Sequence, residues 1–248
     1  MAVAVWFLPV LVVVAFVPSL IYLIWIRNTE RYLREPYYRL LTIFAYGAVI
    51  SVIIAIVIEG LLLNLLNLNL QRIYQILGEN QNLTTIVLAL IIAPFVEEAA
   101  KSLGVFTSRK RMRDIEDGII YGAAAGLGFA ATENLLYESD AFFTAGASAL
   151  IATAVVRTFS SALLHATASS VFGLGIARST RQGKRLLPYY LGAVAIHSAF
   201  NFAASFGILY QSSIGDAAYL IGLVAAAAFA VGGITYMRAK IRVLDTPA

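Results

Sequence analysis

The stretch Pro94-Phe95-Val96-Glu97-Glu98-Ala99-Ala100-Lys101 places two carboxylates and an ammonium inside an otherwise apolar run, Leu83 to Phe106. The run is long enough to cross a bilayer as a helix, which takes about 20 apolar residues. A charge at mid-membrane costs roughly 2.5–3.5 kcal/mol on insertion scales. Spanning a membrane does not require that cost, so these charges are candidates for a functional site.

Helical spacing lets the three charges interact. Lys101 lies one turn from both Glu97 and Glu98, so a single ammonium can pair with both carboxylates. A buried ion pair with a purely structural role is the alternative interpretation. Pro94 cannot donate a hydrogen bond to the carbonyl of Leu90, which predicts a kink or break just before the glutamate pair.

Composition sets the class of protein. The chain has 248 residues, of which 60% are hydrophobic and 13% charged, whereas a soluble domain carries about 25% charge. The chain is therefore predicted to be an all-α, polytopic transmembrane helical bundle, a multi-pass protein of the cell membrane. One transmembrane domain accounts for residues 1–248. The absence of cysteine excludes disulfides, thiolate metal sites and a cysteine nucleophile.

Apolar runs separated by polar breaks predict seven spans, at residues 3–26, 39–65, 83–106, 117–137, 148–177, 186–209 and 217–237. Of the 18 lysines and arginines, fifteen follow the first, third, fifth or seventh span, and only Arg72 lies in the opposite breaks. Because basic residues stay on the cytoplasmic side, we expect the N-terminus outside and the C-terminus in the cytoplasm. The basic residues thus indicate topology, and no nucleic-acid partner is expected.

The fourth span carries a ladder of small residues. Gly118, Gly122 and Gly126 are each four apart, a spacing that lets membrane helices approach closely. Glu133 lies two turns beyond Gly126 and points to nearly the same side, and Asn134 follows it. Glu133 is therefore expected to face a neighbouring helix and to support the site, with an ion pair to an arginine as its structural alternative.

The fifth and sixth spans carry polar stripes at four-residue spacing, Arg157, Ser161 and His165 on one and His197 and Asn201 on the other. The chain has only these two histidines, and both lie at mid-membrane. With a rise of about 1.5 Å per residue, they reach the same level as the glutamate pair. We therefore expect the glutamates, both histidines and Asn201 to line one water-filled cavity, open to the cytoplasm or to lipid, within a catalytic core at about 83–210.

Several intramembrane chemistries are excluded by the motifs. The interiors of the spans hold no aspartate, which argues against a paired-aspartate protease. No H-E-x-x-H or G-x-S-x-G motif is present, so neither a zinc-protease helix nor a serine elbow is supported. Two adjacent carboxylates that cannot both carry charge cheaply in a low dielectric remain as a candidate general base for water. The histidines and the Asn201 amide can orient that water or stabilise an oxyanion.

Taken together, Glu97-Glu98-x-x-Lys101, Glu133-Asn134, Arg157 with His165, and His197-x-x-x-Asn201 resemble the PrsW family of intramembrane proteases, over residues 90–205. That family is related to the CAAX-processing and bacteriocin-immunity proteins. The CAAX relatives carry arginine where this chain has Lys101, which favours the PrsW family.

The resemblance implies roles for the site. Glu97 and Glu98 would activate the nucleophilic water, His165 would be the essential histidine, and His197 with Asn201 would bind the oxyanion. Lys101, Glu133, Asn134 and Arg157 would support them. The implied substrate is a membrane-anchored protein or peptide, such as a single-span anti-sigma factor.

Metal dependence stays open at this point. Glu98, His165 and His197 could ligate zinc as a His₂Glu set, and a metal-free glutamate mechanism fits the same residues. We favour the metal-free mechanism, with no cofactor.

Two other functions remain as alternatives. One is a proton- or ion-coupled transporter, because glutamate and histidine chains relay protons in membranes. The chain shows no inverted repeat to support it. The other is a non-catalytic membrane scaffold or immunity protein. Glu59, near the outer end of the second span, could face either the interface or the bundle interior.

Overall fold

The structure is a computed structural model that describes residues 7–77 and 82–247. Within those ranges it is helical and contains no strand. The helices are α1 (Phe7–Arg27), α2 (Tyr37–Tyr46), α3 (Val52–Leu68), α4 (Leu70–Leu77), α5 (Leu83–Val87), α6 (Ala93–Ser108), α7 (Ile115–Ala145), α8 (Ala147–Phe159), α9 (Ser161–Gln182), α10 (Leu187–Ile214) and α11 (Ala217–Leu244).

The seven predicted spans are confirmed by length and composition in the described part of the chain. The first was predicted from residue 3, and residues 3–6 lie outside the described ranges. Three spans are composite. A π-helical segment at Gly47–Ser51 joins α2 to α3, another at Leu88–Ile92 joins α5 to α6, and α8 meets α9 at a break at Ser160.

Helix α7 is the centre of the bundle. In its most apolar window 78% of the residues are buried, against 28–39% in the other six spans. The glycine ladder explains this position, because a methyl group on Gly122 or Gly126 would overlap the backbone of Ser169 or His165 in α9. The two helices therefore pack with their backbones in near contact, as the small-residue spacing predicts.

The sequence predicted a kink or break just before the glutamate pair, and the structure has a π-helical segment there, Leu88–Ile92, through which the helix continues. Pro94 is the second residue of α6, directly after that segment. Pro94 has no N–H for the Leu90 carbonyl, which instead accepts a hydrogen bond from Ser198 Oγ at 2.8 Å. Ala89 O accepts one from Asn201 Nδ2 at the same distance. Side chains of α10 thus replace the missing backbone hydrogen bonds and tie α10 to the start of α6.

The segments that follow the first, third, fifth and seventh spans lie on one side of the bundle, which we call the basic end. Ion pairs between arginines and carboxylates connect the helix ends there. The buried Glu35 carboxylate there accepts hydrogen bonds from Tyr121 at 2.6 Å, Arg113 at 3.1 Å and Arg39 at 3.3 Å. Burial raises the pKa of nearby Glu30 to about 8, and the charges of neighbouring carboxylates add to the effect. That the basic end is cytoplasmic stays a prediction.

Candidate active site

Lys101 lies at the centre of the cluster that the charged stretch forms. Its ammonium is fully buried and contacts Glu97 Oε2 at 3.0 Å, Glu98 Oε1 at 2.8 Å and His165 Nδ1 at 2.8 Å. It also lies 4.3 Å from the centre of the Phe129 ring, within range of a cation–π contact. The one-turn spacing of Lys101 from both glutamates therefore produces the predicted shared ion pair.

Glu98 is fully occupied by protein donors. Its Oε1 accepts hydrogen bonds from Lys101 Nζ and from His197 Nδ1, the latter at 3.0 Å. Its Oε2 accepts one from Ser169 Oγ at 2.9 Å. An ionised carboxylate only accepts, so the Nδ1 of His197 carries the hydrogen and its Nε2 keeps a lone pair. Glu98 thus fixes the tautomer of His197.

His165 bridges two charged groups. Because the Lys101 ammonium donates to its Nδ1, the hydrogen lies on Nε2, which contacts Glu133 Oε2 at 2.8 Å. The same Glu133 oxygen pairs with the Arg157 guanidinium at 2.7 Å, and Arg157 also donates to Asn134 Oδ1 at 2.7 Å. The four predicted supporting residues therefore form one network, and the expected ion pair between Glu133 and an arginine is present.

A cavity of about 460 Å³ opens beside this network. Four of the five predicted catalytic residues line it, namely Glu97, His165, His197 and Asn201. The expectation that Glu98 would also line it is wrong, because its side chain is enclosed between its three donors. Two residues adjacent on a helix point about 100° apart, so only one of the pair can face the cavity.

The cavity extends away from the basic end. Some of its other lining residues lie further from the basic end than the glutamate pair does. They are Glu59 of α3, Thr85 of α5, and Ser205 and Ile208 of α10. If the basic end is cytoplasmic, the cavity lies in the outer half of the membrane. Of the two expected openings, this geometry does not match the one to the cytoplasm, and a lateral opening to lipid stays a prediction.

Glu97 has the environment of a general base. Its Oε2 lies 3.9 Å from His197 Nε2 and 3.8 Å from His165 Nδ1. A water molecule at the cavity surface can therefore hydrogen-bond both Glu97 and the lone pair of His197. Asn201, one turn along α10, uses one amide N–H for Ala89 O, which leaves the other for the cavity.

The residues also fit a divalent metal by donor type. Candidate ligand atoms of Glu97, His165 and His197 all lie within 4.8 Å of one another, so geometry selects Glu97 in place of the Glu98 named from the sequence. Each histidine is backed by a carboxylate, an arrangement common around zinc. However, the Lys101 ammonium hydrogen-bonds both Glu97 and His165, so a metal would have to displace it.

Two contacts of the site were not assigned from the sequence. Ser169 was recognisable as part of the polar stripe four residues beyond His165, but its bond to Glu98 spans 71 positions. Phe129, which contacts Lys101 and His165, carries no signal that separates it from other apolar residues of α7.

The family model described as PrsW family intramembrane metalloprotease matches residues 35–232. A protein described as "Protease PrsW" from Clostridioides difficile (strain 630) is 30% identical over 201 residues, covering 77% of this chain and 78% of the relative. No solved structure gives a significant match.

Proposed function

The chain belongs to the PrsW family of intramembrane proteases, and we propose that it hydrolyses a peptide bond of a membrane-anchored protein with a water molecule activated by glutamate. The observation that carries the proposal is the position of Glu97 at the cavity surface, with Lys101 on one side and the His197 lone pair on the other. The substrate would be a single-span protein of the cell membrane, and an anti-sigma factor is the example that the family resemblance implies.

In this mechanism Glu97 takes a proton from the water as the oxygen attacks the scissile carbonyl. His197 Nε2 accepts the water's other hydrogen bond and orients its lone pair. The free amide N–H of Asn201 donates to the oxyanion that forms on the carbonyl. Glu97 then returns the proton to the leaving nitrogen, so the peptide bond is broken with no net change of charge in the site.

Glu98, His165 and Glu133 act through other residues. Glu98 fixes the tautomer of His197, and Glu133 does the same for His165. His165 accepts a hydrogen bond from Lys101 and so holds the ammonium against Glu97. Lys101 contacts Glu97 Oε2 at 3.0 Å and so holds the carboxylate in position at the cavity surface.

A metal-dependent variant is the second candidate, favoured by the two histidines with carboxylates behind them. Glu97, His165 and His197 would hold the ion. A zinc ion there would supply a Lewis acid that makes bound water more acidic. In that variant Lys101 would have to release Glu97 and His165.

The proposal is tested with purified protein in liposomes and a co-reconstituted single-span substrate. Glu97→Ala should abolish cleavage because it removes the base, and Glu98→Ala should abolish it because His197 loses its fixed tautomer. Asp140→Asn, a change at an exposed residue near the C-terminal end of α7, is the control and should cleave as wild type. Wild-type turnover by the double Glu97→Ala/Glu98→Ala variant would exclude glutamate catalysis.

A further inference from the structure

Glu59 of α3 is a half-buried carboxylate at the cavity wall that the mechanism does not use. Its Oε1 is enclosed and has no hydrogen-bond partner among the residues that the structure describes. In contrast, Glu97, Glu98 and Glu133 are each bonded to a cation. One enclosed and unpaired carboxylate oxygen at membrane depth is costly, and a cation that arrives with the substrate would relieve that cost.

The position of Glu59 is set by the buried face of α3. Val52 and Ala55, seven and four residues before it, are both buried. Residues at these spacings share a helix face, and Glu59 accordingly lines the same cavity as Glu97. The sequence left open whether Glu59 faces the interface or the interior, and in the structure it is half-buried and lines the cavity.

The level of Glu59 follows from one contact between α6 and the segment before α3. Ser51 Oγ donates to Ala100 O at 3.1 Å, so these two residues are level. Glu59 is eight residues further from the basic end than Ser51, about 12 Å, and Glu97 is three residues further than Ala100, about 4.5 Å. Glu59 is therefore about 7–8 Å beyond Glu97, the length of two or three residues of extended chain.

The charges around the cavity leave Glu59 available for a cation. The charged lining residues are Glu59, Glu97, Glu133 and Arg157. Arg157 is already paired with Glu133, and Glu97 with the buried Lys101. Glu59 is thus the one charge of the described lining that has no counter-ion.

We propose that Glu59 forms a specificity subsite that binds a lysine or arginine side chain of the substrate, two or three residues from the scissile bond. The inference rests on the proposed function, because it assumes that an extended peptide lies in the cavity beside Glu97. The peptide would run from Glu97 toward the end of the bundle opposite the basic end. Glu59 would then select substrates with a basic residue on that side of the cleavage site.

Binding of two matched peptides tests the subsite. Pairs of single-span peptides carry either lysine or norleucine at one position and are otherwise identical. That position is moved, one residue at a time, through the half of the span remote from the basic end. Binding of each peptide to the protein is measured in phosphatidylcholine nanodiscs. A charge-assisted hydrogen bond contributes about 1.5–3 kcal/mol, so wild type should bind the best lysine peptide about 10–100-fold more tightly than its norleucine partner. Glu59→Gln should remove the difference, Glu59→Asp should keep part of it, and Asp140→Asn should leave it unchanged.

Charge reversal separates recognition from a structural role. Glu59→Lys should prefer a peptide with glutamate at the same position, which a loss of packing cannot produce. Equal binding of the lysine and norleucine peptides by wild type, or a lysine preference that survives in Glu59→Gln, would overturn the proposal. Addition of phosphatidylethanolamine should leave the preference intact, and its loss would assign Glu59 to a lipid amine instead.

Cleavage of the same peptides distinguishes the subsite from the proposed function. Mass spectrometry of the products should place the cut two or three residues from the lysine. Lysine preference in binding without any hydrolysis would refute the protease mechanism and leave the subsite standing. If both peptides bind with equal affinity and are cleaved at equal rates, the subsite is refuted and the protease mechanism stands.

Discussion

Replacement of Lys101 by methionine isolates the central ion cluster. Methionine has a similar length and keeps the apolar part of the side chain, but it removes the ammonium that contacts Glu97, Glu98 and His165 at 2.8–3.0 Å. Lys101 is 0% exposed, so water cannot replace it without a rearrangement of the helices. Two carboxylates would then share the interior with no cation between them.

The size of the effect can be worked from that geometry. Removal of one partner of a buried ion pair costs about 3–5 kcal/mol, because the other charge stays buried and unpaired. For a chain of this size, about 2–4 °C of melting temperature corresponds to each kcal/mol. Lys101→Met should therefore lower the melting temperature by about 6–20 °C and also reduce turnover, since Glu97 loses its counter-ion.

Thermal melts in detergent measure the loss of stability, and a second substitution tests its cause. Lys101→Met combined with Glu98→Gln should recover part of the melting temperature, because the uncompensated charge is removed from the most enclosed carboxylate. Lys110→Met, at an exposed lysine of the basic end, is the matched control and should melt as wild type. An unchanged melting temperature for Lys101→Met would refute the ion cluster as described.

Three further predictions concern other parts of the structure. Asn201→Ala should reduce turnover about 10²–10³-fold without abolishing it, the usual cost of one oxyanion donor, as measured by the cleavage rate in liposomes. Gly126→Ala should destabilise the protein by about 1–3 kcal/mol and lower activity, because its methyl group overlaps the His165 carbonyl; thermal melts and cleavage assays measure both effects. The pKa of Glu30 is about 8 in the folded protein, against an ordinary value of 4.5 in the unfolded chain. The contribution of Glu30 to the free energy of unfolding is therefore fully present below pH 4.5 and is lost as the pH rises through 8. The wild-type melting temperature should fall between pH 6 and 8, because the free energy of unfolding decreases by about 1 kcal/mol per pH unit, and Glu30→Gln should flatten that fall.

Each of these has a contrary outcome. Full turnover by Asn201→Ala would exclude its amide from the oxyanion site. Wild-type stability of Gly126→Ala would mean that α7 and α9 are further apart than described. The same pH profile with and without the Glu30 carboxyl would show that another group of the basic end titrates.

The seven spans could be predicted because the bilayer demands long apolar helices and leaves only polar breaks between them. Their ends differ by some residues from the prediction, and the break at Ser160 inside the fifth span was not predicted. The fourth span, predicted at 117–137, extends as α7 to Ala145, because hydropathy marks the apolar run and not the polar turns by which the helix continues beyond it. An irregularity before Glu97 was also predictable, since a proline cannot donate to the carbonyl one turn earlier; it takes the form of a π-helical segment, and Ser198 of α10 supplies the hydrogen bond.

The site was predictable in membership and less so in detail. Helical periodicity placed Glu97, His165 and His197 at one depth, and they do meet. Periodicity along one helix could not say which glutamate of the pair faces the cavity, because that depends on the rotation of α6 against α9 and α10. The tautomers of the histidines likewise follow from partners that lie 32 to 99 positions away in the chain.

Turnover of metal-depleted protein in H₂¹⁸O tests the central claim most directly. Purified protein is treated with a membrane-permeant chelator, its zinc content is measured, and a single-span substrate is cleaved in labelled water. The metal-free glutamate mechanism requires undiminished cleavage, one ¹⁸O atom at the new C-terminus and no cleavage by Glu97→Ala. One zinc per chain, with activity lost on chelation and restored by added zinc, would contradict the metal-free glutamate mechanism.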